Sequence, residues 1–317
     1  MFYRSPVRAL AAALLSATLL TSATAAATTE LSGSVSIPCA GTTLTQDANW
    51  YVPEGDPIGL VWIQHGFART NANVAALATA FADAGYLVFT PSLPFLNLSG
   101  CTLQNLGDNT AFLREVATLF DTPSGGPLAA GLADAARLAQ RPIPRLPHDL
   151  VFIGHSAGAE AVLYVAEQLR TLHPDTWPAL KGVILLDPVR SFLGDNMDRA
   201  LSGLDTTSLP VLTVSAPASM CNSFGLGTLT VRNRLHRAFV GVELLTGVHT
   251  DAEGTSSDTV GELLCGVPAQ TNSTTLSALA LAWARDFVTG AITADDYPDA
   301  TGGNLVAAPA ARILTGS

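Results

Sequence analysis

Short runs that are almost wholly apolar recur along this chain: IGLVWIQ (58–64), YLVFTP (86–91), LVFIG (150–154), GVILLD (182–187) and LPVLTV (209–214). A strand wetted on one face alternates apolar and polar residues, whereas one covered on both faces reads as a continuous apolar run. Between these runs lie stretches with apolar residues at helical spacing: 73–85, 109–120, 128–139, 159–172 and 274–290. Strands buried on both sides, each followed by a helix, predict an α/β fold with a mostly parallel central sheet and helices on both faces. A short strand with its turn is expected at NWYVPEG (49–55), and another within AFVGVELLTGVH (238–249). The Pro-rich RPIPRLPHD (141–149) reads as a connector. No repeat or long linker interrupts the pattern, so residues 28–317 are expected to form one domain, less regular after about residue 291.

The start of the chain belongs to a different class. Arg4 and Arg8 precede the apolar run Ala9–Leu20, and small residues follow at Ala25–Ala27. This is the pattern of a secretory signal peptide over residues 1–27, and the protein is expected to be secreted or periplasmic. The apolar run is shorter than the roughly 20 residues of a membrane span, and no later segment reads as one. The chain is 48% hydrophobic and 13% charged, with a formal net charge of −10. That supports a large core and disfavours nucleic acid or an anionic membrane surface as partner. Cys39, Cys101, Cys221 and Cys265 are an even set in an exported chain, which predicts two disulfides. Of the three possible connectivities, pairing within each half is favoured: Cys39 with Cys101, and Cys221 with Cys265. The spacings match no zinc motif, no H-E-x-x-H occurs, and no phosphate-binding Gly-rich loop is evident. No cofactor and no catalytic metal are expected.

The stretch LVFIGHSAGAEAVLYVAEQL (150–169) is the most informative. It reads as strand, sharp turn, helix, with Ser156 between Gly154 and Gly158 at the carboxyl end of the strand, where ligands gather in open α/β sheets. Gly154-His155-Ser156-Ala157-Gly158 in that setting resembles the nucleophile elbow of the α/β-hydrolase superfamily. The resemblance spans roughly residues 48–290, and it implies an α/β-hydrolase fold and a Ser-His-acid triad in the chain order Ser, acid, His.

The rest of a site follows residue by residue from that resemblance. The backbone N–H groups of Ala157 and of Phe67, in the HG-containing loop VWIQHGFAR (61–69), are expected to form an oxyanion hole, with His65 holding the loop. Among the histidines after Ser156, His249 lies just past the last expected strand in a Gly-bearing polar loop, where a base can reach the serine. His236, in the basic RNRLHRAF, and His173, before a proline, are weaker candidates. The usual place for the acid, after the strand LPVLTVSAP, holds no Asp or Glu. Asp187, at the end of the preceding strand, takes the role instead, because a carboxylate there needs a partner. Pancreatic-type lipases and platelet-activating-factor acetylhydrolases place the acid in that way, and LLDPV is similar to the strand end of chlorophyllases. Asp195 and Asp205 are runners-up, and Asp251 stands too close to His249 in the chain.

The branch containing cutinases, polyester hydrolases, platelet-activating-factor acetylhydrolases and chlorophyllases is the nearest in character. Polyester hydrolases place the acid one strand later, and many carry Met where this chain has Ala157. The implied activity is hydrolysis of a carboxylic ester, lipid-like or short-chain, the ester being a small molecule or a polymer. Phe67, Phe95, Leu96 and Leu98 would line an apolar pocket for it, unless they serve core packing. The same triad on an amide, thioester or peptide bond, and a non-catalytic binding protein on the same fold, are the competing readings.

Overall fold

The computed structural model describes residues 1–2, 28–121, 126–298 and 305–317. Apart from residues 1–2, the leader read over 1–27 lies outside the described residues. The elements run β1 (Thr29–Cys39), β2 (Thr42–Val52), β3 (Leu60–Gln64), α1 (Ala75–Asp83), β4 (Leu87–Pro91), α2 (Thr110–Asp121), α3 (Pro127–Leu138), β5 (Leu150–His155), α4 (Ala157–Leu172), β6 (Leu180–Leu186), α5 (Asn196–Asp205), β7 (Val211–Ser215), α6 (Leu226–Arg234), β8 (Gly241–Leu244), α7 (Thr259–Cys265), α8 (Gln270–Thr289) and β9 (Ala311–Leu314). The strands form one nine-stranded mixed sheet in the order β1-β2-β4-β3-β5-β6-β7-β8-β9. β3 through β8 are mutually parallel; the β1–β2 hairpin and β9 add antiparallel edges.

Every residue of β3, β4, β5, β7 and β8 is buried, as their mainly apolar character favours. Successive side chains still serve opposite faces. Trp62, Phe89 and Phe152 join the core under α2–α5, whereas Val61, Val88 and Val151 join the core under α1 and α8. Trp62 stands directly opposite Phe89 and Phe152 in the register, and its ring lies 5.1 Å from that of Phe120 on α2. These aromatic layers fix the centre of the sheet and leave its carboxyl-end loops free to build a site.

The structure extends the expected elements at both ends of the chain. The strand expected at 49–55 is the end of the longer β2, paired along its whole length with β1. The two-residue turn between them has Ala40 and Gly41 both at positive φ, as a type I′ hairpin requires. β1 buries Leu31, Val35, Ile37 and Cys39 and exposes most residues between them, the alternation of an edge strand with one wet face. The tail expected to be less regular ends in β9, which pairs Leu314 with Gly241. Cys39 is bonded to Cys101 and Cys221 to Cys265. Two disulfides fit an oxidising compartment outside the cytosol, and among the described residues no helix is long and apolar enough to cross a membrane.

Candidate active site

Ser156 sits between β5 and α4 with φ +56° and ψ −125°, a conformation that L-residues avoid. The neighbours that hold it there are glycines by necessity. A Cβ on Gly158 would lie 2.5 Å from the carbonyl oxygens of Gln64 and His65, and one on Gly154 would run into the Gly158 carbonyl. A Cβ on Gly66 would lie 2.7 Å from the Ser156 Cβ. The loop after β3 and the serine turn therefore touch backbone to backbone, which only glycines permit. The first-turn N–H groups of α4 and the positive end of its dipole face the serine side of the turn. Among the described residues, neither the Ala157 nor the Phe67 N–H finds a backbone acceptor, so both remain available to a ligand.

The loop after β8 brings His249 to this turn. Its Nε2 is 3.0 Å from Ser156 Oγ, and its Nδ1 is 2.5 Å from Asp187 Oδ2. A carboxylate only accepts, so Nδ1 carries the proton and Nε2 is left to accept from the serine hydroxyl. Asp187, just past β6 at φ +41°, is buried. Its Oδ1 accepts from the Ala216 N–H at 3.0 Å, and Asn222 Nδ2 donates to both oxygens at 3.1 and 3.2 Å. The desolvated carboxylate is thus saturated with donors, which offsets the cost of its burial.

His155 and His65 are held neutral. Burial, reinforced by the nearby His249, pushes the His155 pKa well below its ordinary value. Its Nε2–H donates to the His249 carbonyl at 3.0 Å, and the two rings lie 4.7 Å apart. Burial lowers His65 to about 4, and its Nδ1–H donates to the Gly66 carbonyl at 2.8 Å. His65 therefore braces its loop, as expected.

The other candidates are occupied elsewhere. His236 pairs with Asp205 at 2.7 Å on the surface, His173 with Asp121, and Asp195 with Arg199. Asp251 accepts from the Val248 and Ala269 N–H groups and so shapes the histidine loop from within. The sequence does not single out Asn222, which bonds Asp187, nor Arg69 and Glu253, which pair with each other between the loops after β3 and β8. Asn222 had one signal, its place beside Cys221. Among the described residues, no group of His, Cys, Asp or Glu side chains is arranged to hold a metal ion. A scan against protein-family models finds no match for the chain, and a search of curated proteins finds none.

Proposed function

We propose that the protein is an exported serine hydrolase of the α/β-hydrolase fold that cleaves carboxylic esters with an apolar acyl or alcohol part. The observation that carries this reading is the unbroken hydrogen-bonded line from Ser156 through His249 to Asp187, set beside two free backbone N–H groups. The strand order, with β2 antiparallel beside a run of parallel strands, supports the same fold. The leader read in the sequence and the two disulfides support export.

In this reading Ser156 Oγ attacks the ester carbonyl as His249 Nε2 takes its proton. Negative charge moves to the former carbonyl oxygen, where the Phe67 and Ala157 N–H groups meet it; a donor so placed is typically worth about 10²–10³ in rate. His249 returns the proton to the departing alcohol, leaving an acyl-enzyme. Water then repeats the sequence and frees the acid. Asp187 keeps the imidazole in one tautomer and offsets its charge.

An apolar substrate is supported by the loops at this end of the sheet. Phe67 and Phe95 pack edge to face at 5.3 Å and stay partly exposed, and Leu96, Leu98, Phe192, Met220 and Phe224 are exposed on the loops after β4, β6 and β7. The residues expected to line a pocket are thus at the surface rather than in the core. Exposed side chains of this size on neighbouring loops favour an apolar partner.

The test is hydrolysis of p-nitrophenyl butyrate and of its anilide counterpart, beside Ser156→Ala. Turnover of the ester, little of the anilide, and loss of both in the variant are expected. A folded wild type that neither turns over nor reacts with a fluorophosphonate probe would leave a binding protein on this fold, and the hydrolase reading would be abandoned. Faster cleavage of the anilide would move the assignment to an amidase.

A further inference from the structure

The loops that flank Ser156 hang from distant strands. β3, which leads into residues 65–69, is beside β5, whereas β8, which leads into the His249 loop, lies beyond β6 and β7. No strand pairing sets the distance between the two loops. Side-chain bridges do: Ser256 meets Asn73 and Ala76 further along both segments, and a buried ion pair stands closer to Ser156. Arg69, two residues after Phe67, meets Glu253, four residues after His249, through two parallel hydrogen bonds: Nε to Oε1 at 2.8 Å and Nη2 to Oε2 at 3.1 Å. The third guanidinium nitrogen donates to Asp258, the N-cap of α7, at 2.9 Å.

Several features show that this bridge is built for geometry. The Arg69 and Glu253 side chains are only 12% and 1% exposed. Ala68, between Phe67 and Arg69, is held at φ +54°, a conformation that persists only where the surroundings over-determine it. α7 carries Gly261 against the guanidinium, where any Cβ would collide with Nη2. Glu253 Oε1 also lies 3.9 Å from Nδ1 of His155, the residue whose Nε2–H holds the His249 carbonyl. A guanidinium–carboxylate fork fixes angle as well as distance, which an ammonium cannot do. A buried ion pair is, by contrast, a weak source of stability compared with apolar side chains of the same volume.

We propose that Arg69 and Glu253 are a positioning pair that holds the oxyanion-donor loop and the base loop in register across Ser156. The proposal rests on the hydrolase reading above. The pair touches no reacting atom; it sets where the Phe67 N–H and the His249 ring stand relative to one carbonyl group.

The experiment compares the intact wild type with Arg69→Lys and with the double variant Arg69→Met/Glu253→Met, which removes the fork without leaving a lone buried charge. In both, kcat for p-nitrophenyl butyrate is expected to fall about 10–100-fold while KM changes less than about threefold, because misplacement near 1 Å is felt in the transition state more than in binding. The thermal midpoint of Arg69→Lys is expected to stay near that of the wild type, and fluorophosphonate labelling of Ser156 is expected to slow in parallel. A purely structural role would move the midpoint and leave kcat per folded molecule unchanged. If either folded variant keeps kcat within about twofold of wild type, the positioning role is wrong. Should the double variant fail to fold, Arg69→Lys decides the matter alone. A folded but inert and unlabelled wild type removes the hydrolase reading and this pair with it, whereas an active wild type matched by Arg69→Lys removes the pair only.

Discussion

At the scale of single residues, the site is a set of groups each made to fit by a neighbour. Ser156 holds a disfavoured backbone conformation because Gly66, Gly154 and Gly158 let three stretches of main chain meet. Ser156→Ala should lower kcat by about 10⁴-fold or more in the ester assay while leaving the thermal midpoint in place. Gly66→Ala should fold yet lose most activity, since its methyl group would press on the Ser156 side chain. Asn222 is the second case. It donates to Asp187 and accepts from the Ser219 and Gly225 N–H groups, so one amide orients the acid and shapes its own loop. Asn222→Ala is expected to cost about 1–3 kcal/mol in denaturant unfolding, because it strands buried partners. The isosteric Asn222→Asp should impair kcat further, by setting an acceptor against a carboxylate. Unchanged kinetics in both would show that Ala216 alone suffices to place Asp187.

At the scale of elements, the two disulfides are unequal. Cys39–Cys101 ties the β1 edge to the loop after β4 and is buried. Cys221–Cys265 joins the segment after β7 to the end of α7 and is half-exposed. Its flanks carry the site: Asn222 bonds Asp187, and the Gly266 carbonyl accepts from the hydroxyl of Thr250, next to His249. Mild reduction should open Cys221–Cys265 first and lower kcat before any loss of secondary structure, as read by mass spectrometry of alkylated cysteines beside the ester assay. The 44-residue separation implies a stabilisation of about 4 kcal/mol from chain entropy. Activity that survives complete opening of this bridge would show that packing alone holds the two loops.

At the scale of the whole molecule, buried histidines give stability a pH dependence. His65 ionises near its ordinary value of 6.5 when unfolded, but burial lowers it to about 4 in the fold. The unfolded chain therefore takes up a proton that the folded chain refuses. The stability that depends on neutral His65 is intact above pH 6.5 and is lost as pH falls towards 4, by about 3 kcal/mol at the limit. His155, also lowered by burial, acts in the same direction. The thermal midpoint should fall between pH 7 and pH 4.5, and His65→Asn should flatten that slope. Burial raises the carboxyls of Glu160 and Glu253, which act in the opposite direction, so an unchanged slope in His65→Asn is the result that would show His65 takes up a proton in the folded state.

The sequence by itself determined what local physics decides. Continuous apolar runs of five or six residues, bounded by turn residues, fit strands covered on both faces, and β3 to β7 lie where those runs stand. Glycines flanking a serine at a strand–helix junction can only make a sharp turn, and Ser156 is on it. The alternation of β1 was present too, but Gly33 interrupts it and hid a strand. α6 and α7 are short and weakly patterned, so nothing in their spacing announces them, whereas α5 has Met197, Ala200, Leu201 and Leu204 at helical spacing and was legible. The pairing of Asp187 with His249 is an expectation of the family resemblance and of no local pattern, and the tertiary structure alone decided the meetings of Asn222 with Asp187 and of Arg69 with Glu253, 184 residues away. Hydrophobic period and turn sterics act over a few residues. The partner of a buried charge is chosen by strand order and by which loops fold back over the sheet, and no local pattern carries that choice.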